Sequence, residues 1–176
     1  MISVGKVLQF ILLLSVLLSF VSCSNKKKYH MIQMADAMIG REIKWSNDSI
    51  MHEKTLKIIT IIPDTGSCTT CSMQVYDWYL YKLDLNNKGL ECDIIYVLGD
   101  SIELEPEIQK LLGYYNLYYT NCFQSFAESN KEILACTFKT FLVDKNNRIK
   151  LVGSPLNNEN LWKLYKEVIK KELSEK

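Results

Sequence analysis

The chain has 176 residues, 48% of them apolar, and a formal net charge of +1. That apolar share excludes an intrinsically disordered chain, and the balanced charge leaves no basic footprint for nucleic acid. The length suits one domain with a core of its own, not two.

Lys6 precedes an apolar run from Val7 to Val21, broken only by Gln9, Ser15 and Ser19, and then come Ser22-Cys23-Ser24-Asn25 and Lys26 to Lys28. A basic start, a short apolar core and a small residue before the break describe a secretory signal. The competing reading is an uncleaved anchor, for which the run is close to the lower length limit. Phe20-Val-Ser-Cys23 resembles the lipobox of bacterial lipoproteins, with Phe20 standing where Leu is usual. The resemblance implies a diacylated Cys23 as the first mature residue. The expected division is a lipoprotein signal peptide at 1–22, a lipidated tether at 23–40 and a folded domain at 41–176. Acyl chains would hold the protein on a membrane, and the three lysines would add attraction to anionic headgroups. The expected location is the cell envelope, facing an oxidising space. The stretch after Cys23 lacks the acidic run associated with surface export in some Bacteroidetes, which points to the periplasmic side.

Tyr29 to Gly40 reads as a short helix, with Met31, Met34, Ala35 and Met38 on one face, or as a loosely packed tether. A strand is expected around Ile43 to Trp45. Leu56 to Ile62 is a near-continuous apolar run closed by Pro63 and Gly66, as in a strand buried on both faces. From Cys71, the residues Met73, Tyr76, Leu80 and Leu83 recur at helical spacing, and Asn86-Asn-Lys-Gly89 stops that helix. Cys92 to Leu98 reads as a second buried strand. Pro106 opens a helix that Gly113 is expected to stop, and Tyr114 to Thr120 reads as an edge strand. Phe123 to Leu134 is weakly helical. Thr137 to Val143 and Arg148 to Val152 form a hairpin around Asp144-Lys-Asn-Asn147. A last helix, capped by Asn157 or Asn158, carries Leu161, Leu164, Tyr165, Val168 and Ile169 on one face. Alternating strands and helices followed by a hairpin call for an α/β fold, a mixed sheet covered by helices.

Cys68 and Cys71 stand where a buried strand gives way to a helix. Helix N-termini favour negative charge, which stabilises a thiolate, the nucleophilic form. Two intervening residues place the second sulfur where it can attack a mixed disulfide formed by the first, with Cys68 as attacker and Cys71 as resolver. A structural disulfide in an envelope protein is the open alternative. Zinc would need two further ligands, and neither the remaining cysteines nor His30 and His52 offer a spaced pair. Asp64-Thr-Gly66 spells an aspartic-protease triplet, but it lacks the apolar residue before the aspartate and a second carboxylate.

The order of strand, CxxC, helix, strand, then Thr140-Phe-Leu-Val-Asp144-Lys-Asn-Asn-Arg-Ile149 and a terminal helix resembles thioredoxin-like domains. The likeness is to the TlpA and peroxiredoxin-like branch, and in layout to lipid-anchored proteins of Bacteroidetes, whose Gly-x-Pro is matched by Gly153-Ser-Pro155. It runs from Thr55 to about Lys171. It implies a thioredoxin-like fold and a reversible dithiol pair, with catalytic Cys68 and Cys71 and no cofactor. Its partners would be a protein or small-molecule disulfide or thiol substrate, an outside electron donor, and the membrane through the lipid anchor. Three positions depart from the pattern. Ser67 replaces the usual Trp, Thr69-Thr70 replace Gly-Pro, and the substrate-docking cis-proline position falls on Phe138, or on Lys139 if the register slips by one.

Of the other thiols, Cys92 reads as a small apolar core residue, and a bridge between Cys122 and Cys136 is left open. The tyrosines 114, 115, 118 and 119 read as half-buried edge positions with their hydroxyls in water. The expected function is a membrane-tethered thiol–disulfide oxidoreductase. Its rival is a binding or scaffold lipoprotein that keeps Cys68–Cys71 as a staple.

Overall fold

The computed structural model describes residues 29–45, 55–63 and 69–175. The signal peptide, the lipobox with Cys23, and Cys68 lie outside the described residues. Residues 29–38 form a helix, α1, ended by a turn with Gly40 at φ +82°. From Met38 onward the chain forms one compact unit.

Its order is β1 (Lys57–Ile62), α2 (Thr69–Met73), α3 (Val75–Asn87), β2 (Asp93–Leu98), α4 (Pro106–Tyr115), β3 (Tyr118–Thr120), α5 (Phe123–Ser129), α6 (Lys131–Leu134), β4 (Thr140–Val143), β5 (Ile149–Val152) and α7 (Glu159–Ser174). The strands form one sheet in the order β3-β2-β1-β4-β5. β1 runs parallel to β2, with Ile58 opposite Ile94, and β2 runs parallel to β3. β4 runs antiparallel to both β1 and β5. A parallel β-α-β unit joined to an antiparallel hairpin, with helices covering the sheet, is a thioredoxin-like fold.

The apolar runs of β1 and β2 follow from this arrangement. Both strands are interior, so both of their faces are covered and alternation disappears. One face presents Ile58, Ile62, Ile94, Tyr96, Leu98 and Leu142 to a core shared with Trp78 and Leu85 of α3 and Trp162, Tyr165 and Ile169 of α7. Ile59, Ile61, Ile95, Val97 and Phe141 point the other way and are equally buried, as are Ile43, Phe126 and Ile133. The hairpin turn is held by Asp144, whose carboxylate accepts the backbone N–H of Asn146 at 2.8 Å and of Arg148 at 2.9 Å. Asn158 caps α7 by accepting the Leu161 N–H at 3.0 Å.

Four expectations need correction. The apolar stripe after Cys71 is not one face of one helix. Gln74 adopts left-handed angles (φ 45°, ψ 46°), so α3 starts afresh and its phase is reset. Val75, Trp78 and Leu85 go inward, while Tyr76, Leu80 and Leu83 are exposed. Gly113 does not stop α4, which continues to Tyr115 and ends at Asn116, left-handed at φ 53°. Asparagine tolerates that conformation because its side chain hydrogen-bonds locally. Ile43 to Trp45 forms no strand: Glu42 makes one bridge to Arg148, and Asn130 then holds both the N–H and the carbonyl of Lys44, at 2.9 and 2.8 Å. On α7, Leu164 of the expected stripe is exposed and Trp162 takes its place in the core.

Candidate functional site

β1 delivers the chain through Ile62 to Pro63 at the carboxyl end of the parallel strands, where ligands gather in open α/β sheets. After the segment carrying Cys68, α2 brings Cys71 to the surface and buries Met73 completely. α2 has five residues. The long helix that the sequence suggested behind the dithiol is thus two helices, and the dipole acting near Cys71 is that of a short one. Tyr96 of β2 is buried beneath α2 and donates its hydroxyl to the Met73 carbonyl at 3.0 Å. Burial holds this phenol protonated, far above its ordinary range, so it stays a donor at all working pH.

Beside α2 lies a cleft of about 230 Å³. Its walls come from the end of β1 through Pro63, from Ser72, Gln74 and Trp78, and from Lys139 where the chain enters β4. Ser154 and Leu156, beyond the hairpin, close it. The Ile61 N–H donates to the Lys139 carbonyl at 2.8 Å, which extends the β1–β4 pairing one step and fixes Lys139 at the rim. At the floor the hydroxyls of Thr60 and Thr140 meet at 3.5 Å.

Of the residues singled out in the sequence, Cys71 and Lys139 therefore come to one end of the sheet, Lys139 on the cleft and Cys71 next to its lining residue Ser72. Phe138 does not line the cleft. It is half-buried on the side of Gly153, whose φ of +103° is what calls for glycine there. Ser72, Gln74 and Trp78 carry no motif. The break at Gln74 resets the helical phase that brings Trp78 to the cleft, so periodicity alone would not have found it.

The remaining described thiols sit elsewhere. Cys92 is buried beside β2, and burial pushes its thiol up to about 12, so it is inert near neutrality. Lys82, itself buried, donates to the Cys92 carbonyl at 2.7 Å and lies 3.5 Å from the Asp93 carboxylate. Cys136 keeps a free thiol, donated to the Ile133 carbonyl at 2.7 Å, so the bridge to Cys122 that the sequence left open is not made. Tyr118 and Tyr119 are partly exposed edge positions on β3, as read, whereas Tyr114 and Tyr115 belong to α4, and Tyr115 stacks on Tyr79 at 4.0 Å. No described helix is long and apolar enough to cross a membrane.

Neither a protein-family model nor a curated protein matches the chain. Among solved structures, it is similar to a thiol:disulfide interchange protein from Bacteroides sp., at 13% identity and a TM-score of 0.46, over 76% of this chain and 86% of that one. It is similar to the thioredoxin domain of a thiol-disulfide oxidoreductase from Bacteroides vulgatus, at 15% identity and a TM-score of 0.43, over 74% and 91% of the two chains. Yeast Sco1 with copper bound is similar at 15% identity and a TM-score of 0.47, over 68% and 80%.

Proposed function

We propose that the chain is a membrane-anchored thiol–disulfide oxidoreductase of the bacterial cell envelope, working through Cys68 and Cys71. The observation that carries this reading is the exposed Cys71 on a short helix after the central strand, beside the cleft at the carboxyl end of the sheet. In the reaction, the Cys68 thiolate attacks a substrate disulfide, forms a mixed disulfide and releases one substrate thiolate. Cys71, deprotonated, then attacks the Cys68 sulfur, forms the Cys68–Cys71 disulfide and releases the second thiolate. The substrate gains two electrons and the protein loses two, which an external dithiol donor returns. The anchor is the diacylated Cys23, and palmitate labelling lost in Cys23→Ala is its test.

A non-catalytic binding lipoprotein, with Cys68–Cys71 as a staple, is the second reading. The absence of proline at Phe138 and Lys139 favours it. The reduction potential of the couple, measured on the full chain in detergent by thiol alkylation and mass, separates the two. A value between about −120 and −270 mV lies among exchange catalysts, and one below about −300 mV marks a structural disulfide.

A further inference from the structure

The cleft beside α2 has an uneven lining. Its described wall is apolar (Ile61, Ile62, Pro63, Trp78, Leu156) or neutral and polar, and Lys139 is its single charged residue. Lys139 is exposed at the rim, and its ammonium forms no ion pair with any described residue. Other lysines of the domain do. Lys166 reaches Asp84 at 2.8 Å, Lys150 reaches Glu172 at 2.6 Å, and Lys82 lies 3.5 Å from Asp93. The backbone bond from Ile61 holds the main chain of Lys139 at the rim, from which its side chain extends exposed.

The size of the cleft limits the occupant. Pockets for whole small molecules span about 300–1,000 Å³. A space of about 230 Å³ is smaller and open at its rim, which suits one or two residues of an extended peptide. Charge complementarity at an exposed ammonium that has no ion pair among the described residues then selects a carboxylate side chain.

We infer that the cleft selects peptide disulfides carrying an acidic residue next to the reactive cysteine, and that Lys139 is the residue that sets this specificity. The inference rests on the oxidoreductase reading and names the substrate class of that site. Lys139 takes no part in bond exchange. It holds the flanking carboxylate while the thiolate attack proceeds.

The test is a single-turnover experiment on the full chain in detergent, pre-reduced and freed of reductant. It is mixed with homodimeric disulfides of three peptides that differ only in Glu, Gln or Lys beside the cysteine. Acid quench and mass follow the released thiol. The expected order is Glu, then Gln, then Lys, with each step about twofold to fivefold, the range an exposed ion pair supplies. The preference shrinks at high salt. It persists in Lys139→Arg, vanishes in Lys139→Gln and reverses in Lys139→Glu. Equal rates for the three peptides, or the same order in wild type and Lys139→Gln, overturn the inference and leave the redox reading intact. A second arm measures binding of the same peptides with Ser in place of Cys by fluorescence anisotropy. If no peptide is reduced yet the Glu peptide binds best and loses that advantage in Lys139→Gln, the redox reading falls and the acidic specificity stands. Absence of both reduction and charge-selective binding overturns both.

Discussion

Tyr96 donates its hydroxyl to the carbonyl of Met73 at 3.0 Å, and in doing so fastens the last residue of α2 to the middle of the sheet. Both side chains are fully buried, so the bond is made without water to replace it. Tyr96→Phe keeps the ring and removes only the donor. It leaves a buried carbonyl short of a partner, which costs about 1–3 kcal/mol. Urea unfolding is expected to show that loss. The thiol–disulfide exchange proposed for Cys68 and Cys71 is expected to slow more in this variant than in a surface variant such as Lys145→Ala.

The thiols should separate by accessibility. Cys71 is exposed, while Cys92 and Cys136 are buried and the Cys92 thiol is pushed up to about 12. Brief iodoacetamide treatment of the reduced native protein at pH 8, read by peptide mass, is expected to label Cys71 and spare Cys92 and Cys136. Denaturation should erase the difference. Labelling of Cys92 at the rate of Cys71 would contradict its placement in the core.

Asp84 joins α3 to α7. Its carboxylate accepts Trp162 Nε1 and Lys166 Nζ, each at 2.8 Å, and pairs with Lys88. Partial burial works to raise its pKa, but the hydrogen bonds from Lys166, Lys88 and Trp162 outweigh it and hold the group at about 2, against 3.8 ordinarily. The folded value is depressed, so the associated stability is fully present above the unfolded pKa and disappears as pH falls through the folded one. Asp84→Asn is expected to lose about 1 kcal/mol at neutral pH, a figure reduced for solvent screening. Urea titrations of wild type and variant should then converge as pH falls from about 4 to about 2.

Asn130 is buried and donates to the carbonyls of Lys44 and Phe126, both at 2.8 Å, while accepting the Lys44 N–H at 2.9 Å. One side chain thus ties the segment after Ile43 to the junction of α5 and α6. Asn130→Ala removes three bonds and is expected to destabilise the domain by about 2–4 kcal/mol. Faster hydrogen exchange at the Lys44 amide is the local readout.

The sheet was legible in the sequence because burial on both faces writes itself as unbroken apolar runs, at Leu56 to Ile62 and again at Cys92 to Leu98. The hairpin was legible for a local reason, since Asp144 to Asn147 carry their own turn chemistry. The helices around the dithiol were not. Tyr76, Leu80 and Leu83 share a helical face, but which face turns inward depends on Gln74, and a left-handed glutamine leaves no signal in composition or spacing. Gly113 misled for the converse reason: glycine permits a helix stop without requiring one, and Asn116 provides it three residues later. At the site, the sequence named Phe138 and Lys139 together. Only the pairing of Ile61 with the Lys139 carbonyl decides which of them borders the cleft.

The left-handed residue at Gln74 also makes the segment before it an interchangeable cartridge. α3 is anchored from Val75 onward by Trp78 and Leu85, and its phase does not continue that of α2. Substitutions around Cys71 that keep Met73 buried and its carbonyl on Tyr96 should therefore leave α3 in place. Changes in the residues around Cys71 are in this way separated from the packing of the core.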